Sequence, residues 1–220
     1  MQAYMKSDMP FLGVGAKPMR DACRRAFADF DFSSGERWRH AVLAIWLGAR
    51  YREERYGAIE LSGDRRALPH QTPASLPMYE EMIVTGAWWD LVDGIATRRL
   101  GPLLRSHPRV MRRRMLAWSR SKNLWKRRSA ILCQIGAKAD TDVGLLYACI
   151  EPSLSRRDFF LCKAIGWALR QYAWTDPGEV ARYVRARRAE LSPLSRREAL
   201  KNIRPGARVS AEALPARATR

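Results

Sequence analysis

An eight-residue stretch, WWDLVDGI at positions 88–95, gives the first indication of the fold. Its apolar residues Trp88, Leu91, Val92 and Ile95 stand at i, i+3, i+4 and i+7, the spacing that places side chains on one face of an α-helix. The same spacing recurs along nearly the whole chain, whereas alternating runs of β-branched residues are absent. The sequence therefore predicts an all-α protein.

Helix boundaries are predicted from this periodicity and from start signals such as Pro108, Asp176-Pro177, and the capping-box spacing of Ser195 and Glu198. Several helices form predicted antiparallel pairs that recur at roughly 35 to 40 residues, the period of a HEAT-like or armadillo-like α-solenoid. The predicted helices cover residues 18–30, 35–56, 76–86, 88–105, 108–119, 122–138, 141–151, 156–174, 177–190 and 195–203.

Two segments are predicted to lie outside the packed body. Residues 61–77 are rich in Gly, Pro and Ser, which is typical of a surface connection. Residues 204–220 contain four Arg and one Glu among small residues and prolines, which indicates a disordered basic tail. The folded domain is therefore predicted to span residues 1–203.

The charge of the chain points to a polyanionic partner. There are 40 Lys and Arg against 22 Asp and Glu, a net charge of +18. Residues 94–139, called the basic stretch below, contain 13 Lys and Arg and no acid. Because no neighbouring carboxylate offsets these charges, a surface that neutralises nucleic-acid phosphates is favoured over a merely solvated face.

Other function classes find little support in the sequence. The four cysteines and three histidines are scattered without metal-ligand spacing, so neither a zinc site nor a disulfide framework is predicted. The longest apolar run, residues 41–49, is far shorter than the roughly 20 residues of a membrane-spanning helix, and no lipid anchor is recognised. We expect a reduced, cytoplasmic protein without cofactor or metal.

Trp89 and Asp93 are predicted to share a helix face beside the apolar stripe, because they stand four residues apart. The simple interpretation is a core tryptophan beside a surface aspartate. However, Asp93 is the last acid before the basic stretch, where a lone carboxylate opposes phosphate binding unless it has another role. Asp93 is thus a candidate catalytic group.

Two further helices carry candidate binding residues. Arg128 interrupts an apolar stripe between Trp125 and Leu132, so it needs an anionic partner, either a protein carboxylate or a phosphate. On residues 156–174 one face combines Trp167 with cations, an arrangement suited either to cation–π contacts or to a groove that meets sugar and phosphate. The predicted DNA-binding residues are Arg112, Arg113, Lys122, Lys126, Arg127, Arg128, Lys163 and Arg170.

Several motifs follow one another along the chain: Tyr4-Met5-Lys6 with residues 10–14, residues 88–93, residues 123–125 with 128–132, residues 159–160 with 163–170, and residues 194–199. In these motifs the chain resembles the DNA alkylation repair family of HEAT-like DNA glycosylases, the AlkD family. Family members carry another helix before the Tyr-Met-Lys motif, which begins here at residue 4.

The resemblance implies an α-solenoid whose concave basic face holds duplex DNA and an enzyme that excises cationic alkylpurines such as 3-methyladenine and 7-methylguanine. We expect this enzyme to be a monomer. It assigns the catalytic carboxylate to Asp93, aromatic cleft walls to Trp89 and Trp167, and a DNA-backbone contact to Arg128. It also implies that the damaged base is released without an enclosing pocket. Two alternatives stay open: a non-catalytic nucleic-acid-binding helical-repeat protein, and a structural repeat protein that binds acidic proteins or ribosomal RNA.

Overall fold

A computed structural model describes residues 2–203, and the regular structure of this part of the chain is helical, without β-strands. The prediction of an all-α protein is confirmed. The predicted tail, residues 204–220, lies outside the described residues. The α-helices are α1 (Gln2–Met5), α2 (Ala16–Ala26), α3 (Gly35–Gly48), α4 (Arg52–Ser62), α5 (Leu76–Gly86), α6 (Trp89–Ile95), α7 (Gly101–Ser106), α8 (Pro108–Ser119), α9 (Leu124–Leu132), α10 (Val143–Ile150), α11 (Phe159–Tyr172), α12 (Pro177–Ala186) and α13 (Pro193–Leu200).

Consecutive helices pack against one another, as α3 does on α4 and α8 on α9, and α11 packs closely on α13. Such pairing is compatible with a HEAT-like solenoid, whose overall curvature and concave basic face stay predictions. The helix predicted at residues 88–105 is present as α6 and α7, joined without a break by a π-helical turn at Ala96–Leu100. The wider turn of a π-helix is often found near functional sites.

Two predictions about residues 35–77 are wrong. The single helix expected at residues 35–56 is two helices, because the chain turns after Gly48 and the Glu54 carboxylate accepts the backbone N–H of Tyr51 at 3.0 Å to start α4. The supposed surface connection at residues 61–77 contains two short 3₁₀-helices and buries Leu61 and Ala67 in the core.

Helix starts were predicted with mixed success. Pro108 is the first residue of α8, and Asp176 caps α12 by accepting the Glu179 N–H at 2.8 Å. The capping box of Ser195 and Glu198 is wrong, because Ser192 caps α13 and the Glu198 carboxylate binds side chains of α11 instead. A residue that makes a tertiary contact was therefore mistaken for a helix-capping residue.

The core consists of two apolar clusters. The first is built around Trp38, Trp46 and Trp118, and α6 contributes its whole apolar stripe to it. The second is formed mainly by α10 to α13. Helix α9 belongs to both, since Trp125 packs in the first cluster and Ile131 in the second. The side chains that link α6, α9 and α11 therefore lie where the two clusters meet.

The glycine-containing loop at residues 11–15 is fastened to α4. The backbone N–H groups of Leu12, Gly13 and Val14 all donate to the buried Glu53 carboxylate, at 2.8–3.2 Å. Gly13 has φ +79°, a conformation that favours glycine. The loop thus fixes the N-terminal segment on the body.

Candidate active site

Asp93 and Arg128 form a bidentate ion pair between α6 and α9. Arg128 Nε and Nη2 donate to the two carboxylate oxygens of Asp93, each at 2.7 Å. The Arg128 side chain is only 5% exposed and that of Asp93 14%. The third nitrogen of Arg128 donates to the backbone carbonyl of Phe160 on α11. The guanidinium therefore joins three helices at the meeting point of the two core clusters.

This ion pair decides between the alternatives raised for Arg128 in the free protein. The anionic partner of the arginine is a protein carboxylate, Asp93. The simple interpretation of Trp89 and Asp93 is wrong on both counts, because Trp89 is 36% exposed while Asp93 is largely buried. An exposed indole and a mostly buried carboxylate thus occur one helical turn apart.

The surroundings of Asp93 raise the pKa of its carboxyl above the ordinary value. Burial is the main cause; the hydrogen bonds and charge of Arg128 oppose it, and the nearby negative charge of Asp90 adds to it. A carboxylate in this environment gains from any additional positive charge that comes close. Such a group can stabilise a cation that develops during a reaction.

A second buried ion pair stands beside the first and was missed in the sequence. Arg52 of α4 donates through two nitrogens to Asp90, with Nε at 3.1 Å, and the Tyr56 hydroxyl donates to the same carboxylate. Both charged side chains are less than one-tenth exposed. This network fixes the first turn of α6, which carries Trp89 and Asp93. Nothing in the local sequence pairs Arg52 with Asp90, since 38 residues separate them.

Aromatic side chains pack behind the Asp93–Arg128 pair. The rings of Trp88, Trp125 and Phe160 have centroids 5.0–6.1 Å apart in tilted and edge-to-face arrangements. Trp167 is half-buried against the second core cluster, seven residues after Phe160 and so on the same side of α11. Trp89 and Trp167 are thus carried by two of the three helices that Arg128 joins.

Lys163 and Arg170, predicted as DNA ligands, bind Glu198 of α13. Lys163 Nζ lies 2.7 Å from one carboxylate oxygen, and Arg170 Nη1 donates to the other. Helix α13 comes this close because Gly166 lacks a side chain: a Cβ there would lie 2.5 Å from Glu198 Cβ. Lys163 stays 41% exposed, so it can still reach an external anion.

In the folded protein, acidic side chains from outside the basic stretch lie next to some of its cations. The expectation that its charges are not offset is wrong for Arg112, Lys126 and Arg128, which pair with Asp142, Glu80 and Asp93 from outside the stretch. These acids come from helices packed alongside, which a linear count of charges cannot include.

The remaining predicted cations differ in their surroundings. Arg127 is held by backbone carbonyls, including that of Pro152 at 2.8 Å from Nη1, and burial lowers its pKa. Arg113 and Lys122 are exposed and, within residues 2–203, form no ion pair with a carboxylate. Arg113 and Lys122 are therefore the predicted DNA ligands of the basic stretch most available to a phosphate.

Residues 2–203 contain no group of three or more His, Cys, Asp or Glu side chains placed to hold a metal ion. None of the helices in the same range is both long and apolar enough to cross a bilayer.

The chain matches a protein-family model and is similar to solved structures. A family model described as "DNA alkylation repair enzyme" matches residues 1–203. Among solved structures, the chain is similar to a "Predicted DNA alkylation repair enzyme from Enterococcus faecalis", with 28% sequence identity, a TM-score of 0.83 and 92% of each chain covered. No curated protein sequence gives a significant match.

Proposed function

The chain belongs to the DNA alkylation repair enzyme family, and from this premise we propose that it is a monofunctional DNA glycosylase. It hydrolyses the N-glycosidic bond of cationic alkylpurines, 3-methyladenine and 7-methylguanine, in duplex DNA. The observation that carries the proposal is the mostly buried carboxylate of Asp93 one turn from the exposed indole of Trp89.

The chemistry of the leaving group explains why one carboxylate suffices. A purine alkylated at N3 or N7 carries a formal positive charge and departs readily, and positive charge then grows on the deoxyribose. A carboxylate about 4 Å from that sugar, at an effective dielectric constant near 20, lowers the barrier by roughly 4 kcal/mol, or about a thousandfold in rate. This factor is useful for a labile bond and too small for a stable one.

Each remaining site residue has a role in this proposal. Asp93 also orients the attacking water, while Trp89 and Trp167 border the sugar and exclude bulk solvent. Arg128 moves its charge toward the DNA backbone, which leaves Asp93 free to face the sugar. No base pocket, cofactor or metal takes part, and no lysine is assigned to a strand-cleaving step.

We further propose that residues 1–203 form one HEAT-like domain that works as a monomer. Its partner is chromosomal duplex DNA, so it acts in the cytoplasm and associates with the nucleoid when bound. Helices α8, α9 and α11 present the cations that meet the phosphates, and sequence-independent binding follows because such contacts read the backbone rather than the bases.

The proposal is tested by incubating purified protein with methylated duplex DNA and separating the released bases by chromatography. Release of 7-methylguanine and 3-methyladenine is expected, with little uracil, hypoxanthine or ethenoadenine from matched duplexes, because neutral bases generally need a proton donor at the leaving group. Uracil release comparable to that of 7-methylguanine contradicts the mechanism. A cationic purine with a bulky alkyl group should be accepted, whereas its strict rejection indicates an enclosing pocket.

A non-catalytic nucleic-acid-binding protein is the second candidate. The observation in its favour is that Asp93 and Arg128 satisfy each other's charges, as a structural ion pair would. The same assay separates the two: DNA binding without release of any alkylated base supports the second candidate.

A further inference from the structure

A cleft of about 230 Å³ lies next to the candidate active site. It opens between the segment that follows α1 and the turn that joins α5 to α6. The residues that matter for its chemistry are Lys6, Asp8, Arg52, Arg55, Ala87 and Trp88. Trp88 immediately precedes Trp89, and Arg52 binds the Asp90 carboxylate, so the cleft borders the first turn of α6.

Two residues of the cleft have strained backbone conformations. Lys6 has φ +48° and Ala87 has φ +36°, both in the left-handed region that non-glycine residues rarely adopt. Such conformations persist where the surrounding structure holds the residue in place, and they cluster at ligand-binding sites. The backbone of the two opposite walls of the cleft is therefore held in one conformation.

Arg55 brings a positive charge into the cleft, and within residues 2–203 it forms no ion pair with a carboxylate. Its guanidinium stacks over the Trp46 ring at 4.9 Å, and its polar partner among the described residues is the Thr85 carbonyl, 3.3 Å from Nη1. Its Nε has no hydrogen-bond partner there. Burial, and then the charge of Arg52, lower the pKa of Arg55. A half-buried guanidinium in this position is stabilised by an external anion.

The other charges of the cleft leave it with a positive balance. Arg52 is neutralised by Asp90 within its bidentate pair. Lys6 is exposed on the opposite wall, and Asp8 is an exposed carboxylate on the same segment. Besides the Arg52–Asp90 pair, the cleft thus carries the positive charges of Lys6 and Arg55 and the negative charge of exposed Asp8.

We propose that this cleft binds one phosphodiester group of duplex DNA between Lys6 and Arg55. The inference rests on the proposed function, because it takes duplex DNA as the partner. A phosphate held here lies beside the turn that carries Trp88 and Trp89, so it fixes the register of the strand whose sugar faces Asp93. A guanidinium that is stacked on an indole is preorganised for this contact and loses little side-chain entropy on binding.

The test is the salt dependence of binding to an undamaged duplex, measured by fluorescence anisotropy between 50 and 300 mM salt, roughly the range in which phosphate contacts dominate. The variants are Lys6→Gln, Arg55→Gln and the double substitution. Removing the site should lower the slope of log affinity against log salt by about 0.9 and raise Kd roughly fivefold near 0.1 M salt. Arg55→Lys keeps the charge and should keep most of the slope. The matched control is Arg185→Gln, an exposed cation of α12 outside the cleft.

The outcomes separate this inference from the proposed function. If Lys6→Gln, Arg55→Gln and the control all bind DNA with the affinity and salt slope of the wild type, the cleft proposal is contradicted and the proposed function is not. A wild-type protein without affinity for duplex DNA contradicts both proposals. If Arg55→Gln fails to fold, Lys6→Gln still decides, because that exposed side chain can be removed without disturbing the core.

Discussion

Replacing Asp93 by asparagine should slow the release of 7-methylguanine by a factor that can be bounded from the geometry. The carboxylate alone, about 4 Å from the developing cation at a dielectric constant near 20, contributes roughly 4 kcal/mol. Arg128 on the far side of the carboxylate, about 8 Å from the same cation, opposes it by roughly 2 kcal/mol. The loss is therefore about 30-fold if Arg128 keeps its place in the complex, and about a thousandfold if a DNA phosphate draws it away.

The same substitution also affects stability, because Arg128 is 5% exposed and loses its charged partner. Breaking a buried pair from one side typically costs roughly 3 to 5 kcal/mol, although the amide oxygen of asparagine still accepts one hydrogen bond. The melting temperature must therefore be measured together with the rate. Asp90→Asn is the matched control, since Asp90 is another buried carboxylate of α6 paired with an arginine.

The assay is single-turnover release of 7-methylguanine under conditions in which both variants are folded and saturated with DNA. Asp93→Asn should be slowed at least 30-fold, and Asp90→Asn clearly less, because Asp90 is bound by both Arg52 and the Tyr56 hydroxyl and does not face the sugar in the proposed function. A rate for Asp93→Asn within threefold of wild type refutes the electrostatic role. Equal losses in the two variants indicate that both carboxylates act only by holding α6 in place.

Further expectations concern the pH profile, the aromatic walls and the exposed cations. Base release requires ionised Asp93, and the pKa of Asp93 is raised. As the pH is lowered, the rate should therefore begin to fall at a higher pH than it would for an aspartate with the ordinary pKa of about 4, and a rate profile from pH 4 to 8 checks this. In Asp90→Asn this acid limb should move to lower pH, because the negative charge of Asp90 contributes to the raised pKa; an unmoved limb argues against the coupling. Trp89→Ala and Trp167→Ala should each reduce the rate less than Asp93→Asn does, since each removes one wall and no charge; a larger loss in either makes the indole the main catalytic element. Arg113→Ala and Lys122→Ala should each lower the salt slope of DNA binding by about one, and an unchanged slope places that side chain off the interface.

The fold could be predicted from the sequence wherever periodicity and helix ends agree. Helix α8 was predicted at its observed bounds because Pro108 marks its start and its apolar residues keep one face. The break between α3 and α4 was missed, since apolar residues continue across Gly48 and the signal that restarts the helix is a single carboxylate, Glu54. The helical content of residues 61–77 was missed because 3₁₀-turns tolerate the prolines that argue against an α-helix.

The sequence could indicate which side chains to consider for the candidate site, but only part of how they contact one another. The spacing of Trp89 and Asp93 indicated that they share a helix face, and the charge of Arg128 within an apolar stripe indicated an anion nearby. That this anion is Asp93, and that Glu198 holds Lys163 and Arg170, depends on how α6, α9, α11 and α13 pack. Such contacts span 28 to 35 residues and leave no periodic trace in the sequence.

Helix α9 belongs to both apolar clusters, and its Arg128 ties α6 to α11. The ion pair therefore connects helices on either side of the boundary between the two clusters. Under the proposed function, a duplex that changes the angle between the two clusters should also change the separation of Asp93 from Arg128, and with it the electric field at the sugar. A substitution deep in either cluster, far from any DNA contact, should then change the rate of base release.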